Sequence, residues 1–173
     1  YKRQDCFGAD AIRWLDKNLF GRGLEAGAVS LYFLPLGEPT CPTPDNVRFV
    51  FLEKESLPPF YLPQWTNALC EERKGLDAFA VAALCGGLTA GLAGASCDCS
   101  DMLQIGVDVL PAFRGRGLGA ALTSRLAACI RAAGKTAFYC CEAGNLPSIK
   151  TALRSGFRPT ATRLSAQKQK PDA

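Results

Sequence analysis

Apolar and polar residues alternate most regularly between residues 101 and 110, and this segment leads directly into a glycine-rich turn. The period of two predicts a β-strand with one apolar face. The apolar positions are Ile105, Val107 and Val109, with Gly106 and Asp108 between them. Pro111 cannot donate a hydrogen bond to a neighbouring strand, so we expect the strand to end there.

A helical pattern follows the turn. Its apolar positions recur every three or four residues and are Leu118, Leu122, Leu126, Cys129, Ile130 and Ala133, with Gly134 as the stop. The glycines at 115, 117 and 119 allow several backbone N–H groups to converge on one anion, and two arginines add positive charge. Because the positive end of the helix points into this turn, the segment predicts a site for a diphosphate-bearing ligand.

The N-terminal half has a less regular pattern. Residues 9–20 have helical spacing and are followed by Gly21, which predicts a first helix. The apolar segment 29–36 fits either a strand or a helix, whereas residues 47–52 predict a strand.

A proline-punctuated aromatic segment, residues 58–63, precedes a short helix that we expect at residues 64–73. Its aromatic residues, together with Trp65, are more typical of a plug at the edge of the core than of a substrate cleft, which is the alternative.

From residue 77 the pattern predicts three successive antiparallel strands. Residues 78–85 and 88–96 are apolar and are joined by Gly-Gly, which is a hairpin signal, and the strand ending at Leu110 is the third. Residues 135–141 predict a strand that is parallel to the third, because a helix connects the two.

The last elements are a short helix and a closing strand. Asn145 and Pro147 are suited to open the helix, with Ile149, Ala152 and Leu153 facing inward. Residues 157–165 predict the strand, and we expect the tail at 166–173 to be frayed.

Composition narrows the possible functions. The 173 residues fit one domain, and the net charge of +4 is too small and dispersed to indicate nucleic-acid binding. There are nine cysteines and no histidine, which excludes a Cys/His zinc site and a histidine-activated nucleophile. Without a membrane-length apolar run or a signal-peptide pattern, we expect a cytoplasmic protein with reduced thiols.

Two sequence blocks carry a resemblance to a known family. Arg114-Gly-Arg-Gly-Leu-Gly119 resembles the Arg/Gln-x-x-Gly-x-Gly/Ala signature of the GNAT superfamily of acetyl-CoA-dependent N-acetyltransferases. Asn145-Leu-Pro-Ser148, followed by Gly156-Phe157, is similar to that family's Asn-x-x-Ala/Ser…Gly-Phe segment. The blocks and the strands around them cover residues 78–160. The resemblance implies a mixed α/β fold: a mostly antiparallel central sheet flanked by helices, with a splayed parallel strand pair at the cofactor site.

The resemblance also implies that different parts of the single domain have different functions. Residues 1–75 would form the acceptor side, residues 76–165 the acetyl-CoA-binding core and residues 166–173 a tail. Acetyl-CoA would be the co-substrate, and no metal is implied. The implied cofactor-binding residues are Val107, Asp108, Val109, Arg114, Gly115, Arg116, Gly117, Leu118, Gly119, Asn145 and Ser148, although Asn145 also fits a simple helix cap.

The usual proton-transfer residues of the family are missing. Ala152 stands where many relatives have a tyrosine acid, and Cys140 stands where a glutamate base recurs. Glu142 lies two residues beyond Cys140 on the same strand face, so it is the candidate base, against the alternative of a solvated surface carboxylate. Tyr139 and Asp108 are further candidates.

Three functional hypotheses follow. The first is direct transfer of an acetyl group from acetyl-CoA to a primary amine of a small molecule or peptide. The second is a non-catalytic acyl-CoA-binding module on the same fold, in keeping with the two missing side chains. The third is a dinucleotide-binding oxidoreductase, because residues 115–120 also satisfy a loose glycine fingerprint. The sequence indicates no nucleic-acid or membrane partner, and it leaves the acceptor and the oligomeric state open.

Overall fold

The three predicted antiparallel strands lie side by side in a seven-stranded sheet in the computed structural model, which describes residues 7–38 and 41–168. The strands are β1 (Leu24–Pro35), β2 (Val47–Glu53), β3 (Asp77–Cys85), β4 (Leu88–Ser96), β5 (Met102–Val109), β6 (Thr136–Glu142) and β7 (Phe157–Lys168). The helices are α1 (Ala9–Phe20), α2 (Leu118–Ala132) and α3 (Leu146–Arg154). The mixed α/β fold with a mostly antiparallel sheet is therefore confirmed.

The strand order is β2-β3-β4-β5-β6-β1-β7. β5 and β6 are parallel, as expected for strands joined by a helix, and the other neighbours are antiparallel. The segment at 29–36, which the sequence left as strand or helix, belongs to β1 and lies between β6 and β7. Strands from both sides of residue 75 thus form one sheet, and the functional division at that point stays a prediction.

Two apolar clusters lie on opposite faces of the sheet. On one face α2 and α3 pack over the main core, in which Phe33, Ile105, Leu122 and Phe157 are buried. On the other face the segment between β2 and β3 covers Leu92 with Leu57, Trp65 and Leu69. Each of these large side chains contributes about 1.5–3 kcal/mol when it is fully buried. Trp65, Phe60 and Tyr61 all join this second cluster, so the aromatic plug is confirmed.

The helix expected at residues 64–73 is wrong. Only short 3₁₀ turns form there, Pro63–Trp65 and Glu71–Arg73. Between them, the backbone N–H groups of Asn67 and Ala68 donate to the carboxylate of Asp108, at 2.8 and 2.9 Å, instead of to carbonyls one turn back. A long-range side chain has therefore replaced the local hydrogen bonds of a helix.

Two smaller expectations also need correction. Leu153 does not face inward: it is 41% exposed at the end of the short helix α3, whereas Ala152 is fully buried. β7 continues past residue 165 to Lys168, and Ala166 to Lys168 pair with Leu24 to Ala26 of β1. That part of the expected tail is ordered by cross-strand pairing, and residues 169–173 lie outside the described residues.

Candidate functional site

The two parallel strands β5 and β6 separate before they end. Their register runs from Met102 opposite Thr136 to Ile105 opposite Tyr139 and stops there, although β5 continues to Val109. The N–H of Leu110 donates to Ala90 on the β4 side. Because backbone groups alternate along a strand, the N–H groups of Val107 and Val109 point the other way, into the gap beside β6.

A cavity of about 770 Å³ occupies this gap and extends to the start of α2. Most of the predicted site residues line it: Val107, Asp108, Val109, Arg114, Gly115, Gly117, Leu118, Gly119, Glu142, Asn145 and Ser148. The fold thus brings both sequence blocks to one surface.

The glycine turn has the conformation that the sequence pattern requires. Gly115 and Gly117 have φ values of 77° and 79°, a left-handed region that favours glycine, and Gly117 is the N-cap of α2. A Cβ atom at Gly117 would meet no protein atom within 4 Å. The first N–H groups of α2, which have no partner within the helix, therefore face open space suited to an anion.

The two arginines of the turn lie on opposite sides of it. Arg114 folds back, and its Nε donates to the carbonyl of Val109 at 2.8 Å, which fixes the turn against the end of β5. Arg116 does not line the gap; it borders a neighbouring cavity of about 170 Å³ with Asp45 and Cys85. Only Arg114 of this pair therefore lies where the resemblance places a cofactor contact.

Two basic residues at the site were missed by sequence reasoning. Lys150 and Arg154 lie one turn apart on α3, and both line the cavity. Their spacing of four residues on the helix was the signal available, because such residues share a face. Together with Arg114 they give the cavity a cationic rim.

Asn145 and Ser148 have local roles in the α3 end of the cavity. The side chain of Asn145 caps α3 by accepting from the N–H of Ser148 at 3.1 Å, as the alternative interpretation had it. The hydroxyl of Ser148 lies 2.6 Å from the hydroxyl of Tyr139. Contacts of these residues with a cofactor stay a prediction.

Tyr139 is held at the point where the strands separate. It is 4% exposed, and it lines the cavity. Burial raises the pKa of its hydroxyl, while the hydrogen bond with Ser148 works in the opposite direction. A phenol whose pKa is raised stays protonated at neutral pH, so Tyr139 is equipped to donate a proton into the gap.

Asp108 holds a loop rather than standing free. Its carboxylate accepts hydrogen bonds from the N–H and the side-chain amide of Asn67 and from the N–H of Ala68, at 2.8, 2.7 and 2.9 Å. Two paired glycines, Gly94 and Gly106, make this contact possible. A Cβ at Gly106 would lie 1.8 Å from the Asn67 carbonyl oxygen, and one at Gly94 would lie 2.0 Å from that of Ala68. We call residues 67–68 the clamped loop.

The clamped loop brings Asn67 to the wall of the cavity, a position that no sequence pattern indicated. Glu142 lies at the mouth of the same cavity and is exposed. Cys140 lines the cavity between them, on the same strand face as Glu142. Opposite Cys140 on β1 lies Tyr32, which was also missed because nothing local in the sequence places β1 beside β6.

A comparison with protein families decides the classification. Residues 73–164, more than half of the chain, match the model of the family described as FR47-like protein. The chain belongs to the FR47-like family. This confirms the GNAT superfamily, to which that family is related. No curated protein matches the chain at a significant level.

Solved structures with the GNAT fold resemble the FR47-like chain over most of its length. A GCN5-related N-acetyltransferase-like protein from Streptococcus suis 89/1591 has a TM-score of 0.62 and 16% identity over 92% of this chain and 68% of its own. A putative acetyltransferase of the GNAT family from Novosphingobium aromaticivorans DSM 12444 has a TM-score of 0.60 and 21% identity, over 83% and 66%.

A tandem GNAT protein from the clavulanic acid biosynthesis pathway has a TM-score of 0.64 and 15% identity over 98% of this chain and 61% of its own. At such identities these likenesses establish the fold. The FR47-like chain spans between about three fifths and two thirds of the length of these three relatives.

Other site types have no support in residues 7–38 and 41–168. No group of three or more Cys, Asp or Glu side chains in these ranges is placed to hold a metal ion. None of the helices found there is long and apolar enough to cross a membrane.

Proposed function

We propose that the protein is an N-acetyltransferase that moves an acetyl group from acetyl-CoA directly to a primary amine. The observation that carries the proposal is the gap between β5 and β6, where the N–H groups of Val107 and Val109 point away from β4 into the gap, close to the glycine turn at the start of α2. An extended ligand with a diphosphate at one end fits these features.

Different groups of the cavity would bind the charged and uncharged parts of acetyl-CoA. The N-terminal N–H groups of α2 and the glycine turn would hold the pyrophosphate, and Lys150 and Arg154 would attract the remaining phosphate charge. The free edge of β5 would take the pantetheine arm as an additional strand. The positions of Val107 and Val109 suit them to donate to the acetyl carbonyl, where negative charge develops during transfer.

The chemistry requires two proton movements. The amine nitrogen attacks the thioester carbonyl, the carbon–sulfur bond breaks, and the departing thiolate takes a proton. Tyr139 is the candidate donor for that proton, because it is buried, protonated and positioned at the apex of the gap. Glu142, directly or through water, is the candidate acceptor of the proton that the amine loses.

The non-catalytic acyl-CoA-binding module is the second candidate. The observation in its favour is Ala152, which is fully buried in α3 and offers no hydroxyl where many relatives have one. The two candidates share the binding site and differ only in turnover.

The cytoplasm is the compartment we propose. All eight cysteines in the described ranges are free thiols, which supports a reducing environment.

Calorimetric titration with acetyl-CoA, CoA and NADH in parallel tests the binding assignment. Micromolar affinity for both CoA species and none for NADH is the expected result, and NADH binding alone would overturn it. Turnover is then followed by chromatographic quantification of CoA in the presence of amines, since the nine protein thiols would react with a colorimetric thiol reagent. Binding without amine-dependent release of CoA would favour the module.

Glu142→Gln tests the candidate base. We expect the rate of transfer to fall by about 10- to 1,000-fold near neutral pH with the CoA dissociation constant within about twofold of the wild type, because the exposed carboxylate lies at the mouth of the cavity. Glu25→Gln removes a carboxylate elsewhere on the sheet and serves as the control. A full rate over the whole pH range would remove Glu142 from the mechanism.

A further inference from the structure

The outer face of β6, β1 and β7, on the side opposite α2 and α3, carries a set of functional groups in register. Cys140 lies opposite Tyr32, and Tyr32 lies opposite Ala161. One step along, Glu142 lies opposite Ser30, and Ser30 lies opposite Arg163. Paired residues share a sheet face, so Glu142 and Arg163 project from the same surface.

This surface is continuous with the cavity. Cys140 and Glu142 both line the gap between β5 and β6, and they are the two residues of β6 that border Tyr32 and Ser30. A molecule lying on the outer face would therefore reach the gap from the side opposite α2 and α3. The clamped loop, with Asn67, forms the wall across the gap.

Arg163 contacts an aromatic ring and forms no ion pair with any residue that the structure describes. Its guanidinium carbon lies 5.4 Å from the centre of the Tyr32 ring, and that ring stacks on Phe138 with a centroid distance of 6.3 Å. The ion pairs formed within residues 7–38 and 41–168 involve other arginines, Arg13, Arg73 and Arg131. This cation–π contact places the guanidinium over Tyr32 while its N–H groups stay available to an anion.

The two charged groups on this face, Glu142 and Arg163, have opposite signs and lie at different distances from the gap. Glu142 and Arg163 are separated by two strand spacings, roughly 10 Å between backbones. Asp98, a carboxylate that contributes to raising the pKa of Tyr32, is paired with Arg73. A bound molecule thus meets the carboxylate of Glu142 on the gap side and the guanidinium of Arg163 on the far side.

We infer that the acceptor is an amine that also bears a carboxylate, such as an amino acid, and that Arg163 binds this carboxylate. The inference rests on the proposed function and names its substrate class. An arginine fork accommodates a carboxylate with two parallel hydrogen bonds. Glu142 repels the same carboxylate and attracts the amine, so the two charges orient the acceptor with its amine toward the gap.

The test compares phenylalanine with phenylalaninamide and phenethylamine, and glycine with glycinamide. CoA release is measured, and kcat/KM is calculated with the concentration of the unprotonated amine. This is needed because the amides are less basic, so a larger fraction of them is unprotonated at a given pH. The wild type should prefer each carboxylate over its uncharged counterparts by about 10- to 100-fold, the range for a hydrogen-bonded charge pair.

Arg163→Gln should bring that preference to within about twofold while leaving transfer to phenylalaninamide and the CoA affinity unchanged. Arg163→Lys should retain part of it. Lys168→Gln removes the same charge from the end of β7, where the residue pairs with Leu24, and should keep the full preference.

The outcomes separate the two proposals. Transfer to uncharged amines at equal or greater efficiency in the wild type would overturn the inference and leave the acetyltransferase intact. A carboxylate preference that survives in Arg163→Gln would also overturn it. CoA binding without transfer to any of these amines would contradict the proposed function itself, and with it the inference.

Discussion

The two sides of the gap are built in different ways. The side that we propose for acetyl-CoA, which we call the donor side, includes the glycine turn and comes from one continuous piece of chain running from β5 through α3. The side that we propose for the acceptor combines β1, the clamped loop, the outer face of β6 and β7, which are far apart in sequence, and we call it the acceptor side. The donor side is formed by residues close together in sequence, whereas the acceptor side depends on pairing between distant strands.

The two sides also use different chemistry. The donor side offers backbone N–H groups, which depend on left-handed glycines and on a helix end. The acceptor side offers side chains, such as Asp108, Tyr32 and Arg163, whose positions depend on strand register. Substitutions that add a Cβ should therefore damage the donor side, and substitutions that remove a polar group should damage the acceptor side.

Gly117→Val should produce the largest effect. Valine is strained at a φ of 79°, and its side chain would project into the space in front of α2 where the anion is expected. We expect CoA affinity to fall by at least about 100-fold in calorimetric titration, with the fold retained.

Gly134→Val is the matched control for this change. Gly134 has a φ of 72° and open space around it, but it lies at the other end of α2. It should lose a similar amount of stability, about 1–2 kcal/mol, and keep normal CoA affinity. Equal affinity losses in the two variants would mean that strain, and not the site, explains the result.

This contrast also explains what the sequence predicts well. Residues 105–134 contain a strand, a turn and a helix whose signals are all local: alternation at Ile105 to Val109, glycines at 115 and 117, and helical spacing from Leu118. The structure confirms each of these elements. A site made of backbone groups needs no more than this local order to be predicted.

The acceptor side lacks such signals. The position of β1 between β6 and β7 follows from pairing over more than 100 residues, so Tyr32 next to Cys140 was unpredictable from local pattern. The clamped loop has a helical appearance in sequence, but Asp108 captures its N–H groups. Long-range partners that override local preference leave no periodic trace.

Tyr139→Phe should produce the next largest effect, on turnover rather than on binding. We expect the rate to fall by about 10- to 100-fold because the thiolate loses its proton donor. The raised pKa of Tyr139 also sets a sign: the wild-type rate should decline only as pH rises through a value above the ordinary tyrosine pKa, and the variant should lack that decline.

Tyr61→Phe is the control for Tyr139→Phe. Tyr61 also donates through its hydroxyl, to Asp77 at 3.0 Å, and burial raises its pKa to about 12. Each variant loses one hydrogen bond, worth about 0.5–1.5 kcal/mol of stability, but only Tyr139 borders the cavity. A similar loss of rate in both variants would indicate a general structural effect.

Asp108→Ala should release the clamped loop and weaken the acceptor side. The N–H groups of Asn67 and Ala68 would lose their acceptor, and we expect KM for the amine to rise by about tenfold with CoA affinity unchanged. Asp108→Asn should restore most of the function, because Asn67 can rotate its amide and accept from the new side chain. If Asp108→Asn is as impaired as Asp108→Ala, the charge itself is required and the positioning role is wrong.

Asp77→Asn should give the smallest effect, and we expect that effect only in the pH dependence of the free energy of unfolding. Asp77, at the start of β3, is 2% exposed and accepts a hydrogen bond from Tyr61. Tyr61 packs against the apolar cluster that contains Ala68 of the clamped loop. Burial raises its pKa, and hydrogen bonds from Tyr61 and Ser96 offset part of that rise. Protonation therefore favours the folded state, and this contribution is lost as pH rises through the folded pKa.

Urea unfolding at pH 4.5 and pH 7 measures the difference. Relative to Asp77→Asn, the wild type should be more stable at the lower pH, by about 1.4 kcal/mol for each unit of pKa elevation that is titrated between the two values. Asp45→Asn, at an exposed carboxylate, provides the comparison. A wild type that instead gains stability over Asp77→Asn as pH rises would show that the hydrogen bonds outweigh burial at this carboxylate. The ionised form of Asp77, and not the protonated form, would then stabilise the acceptor side.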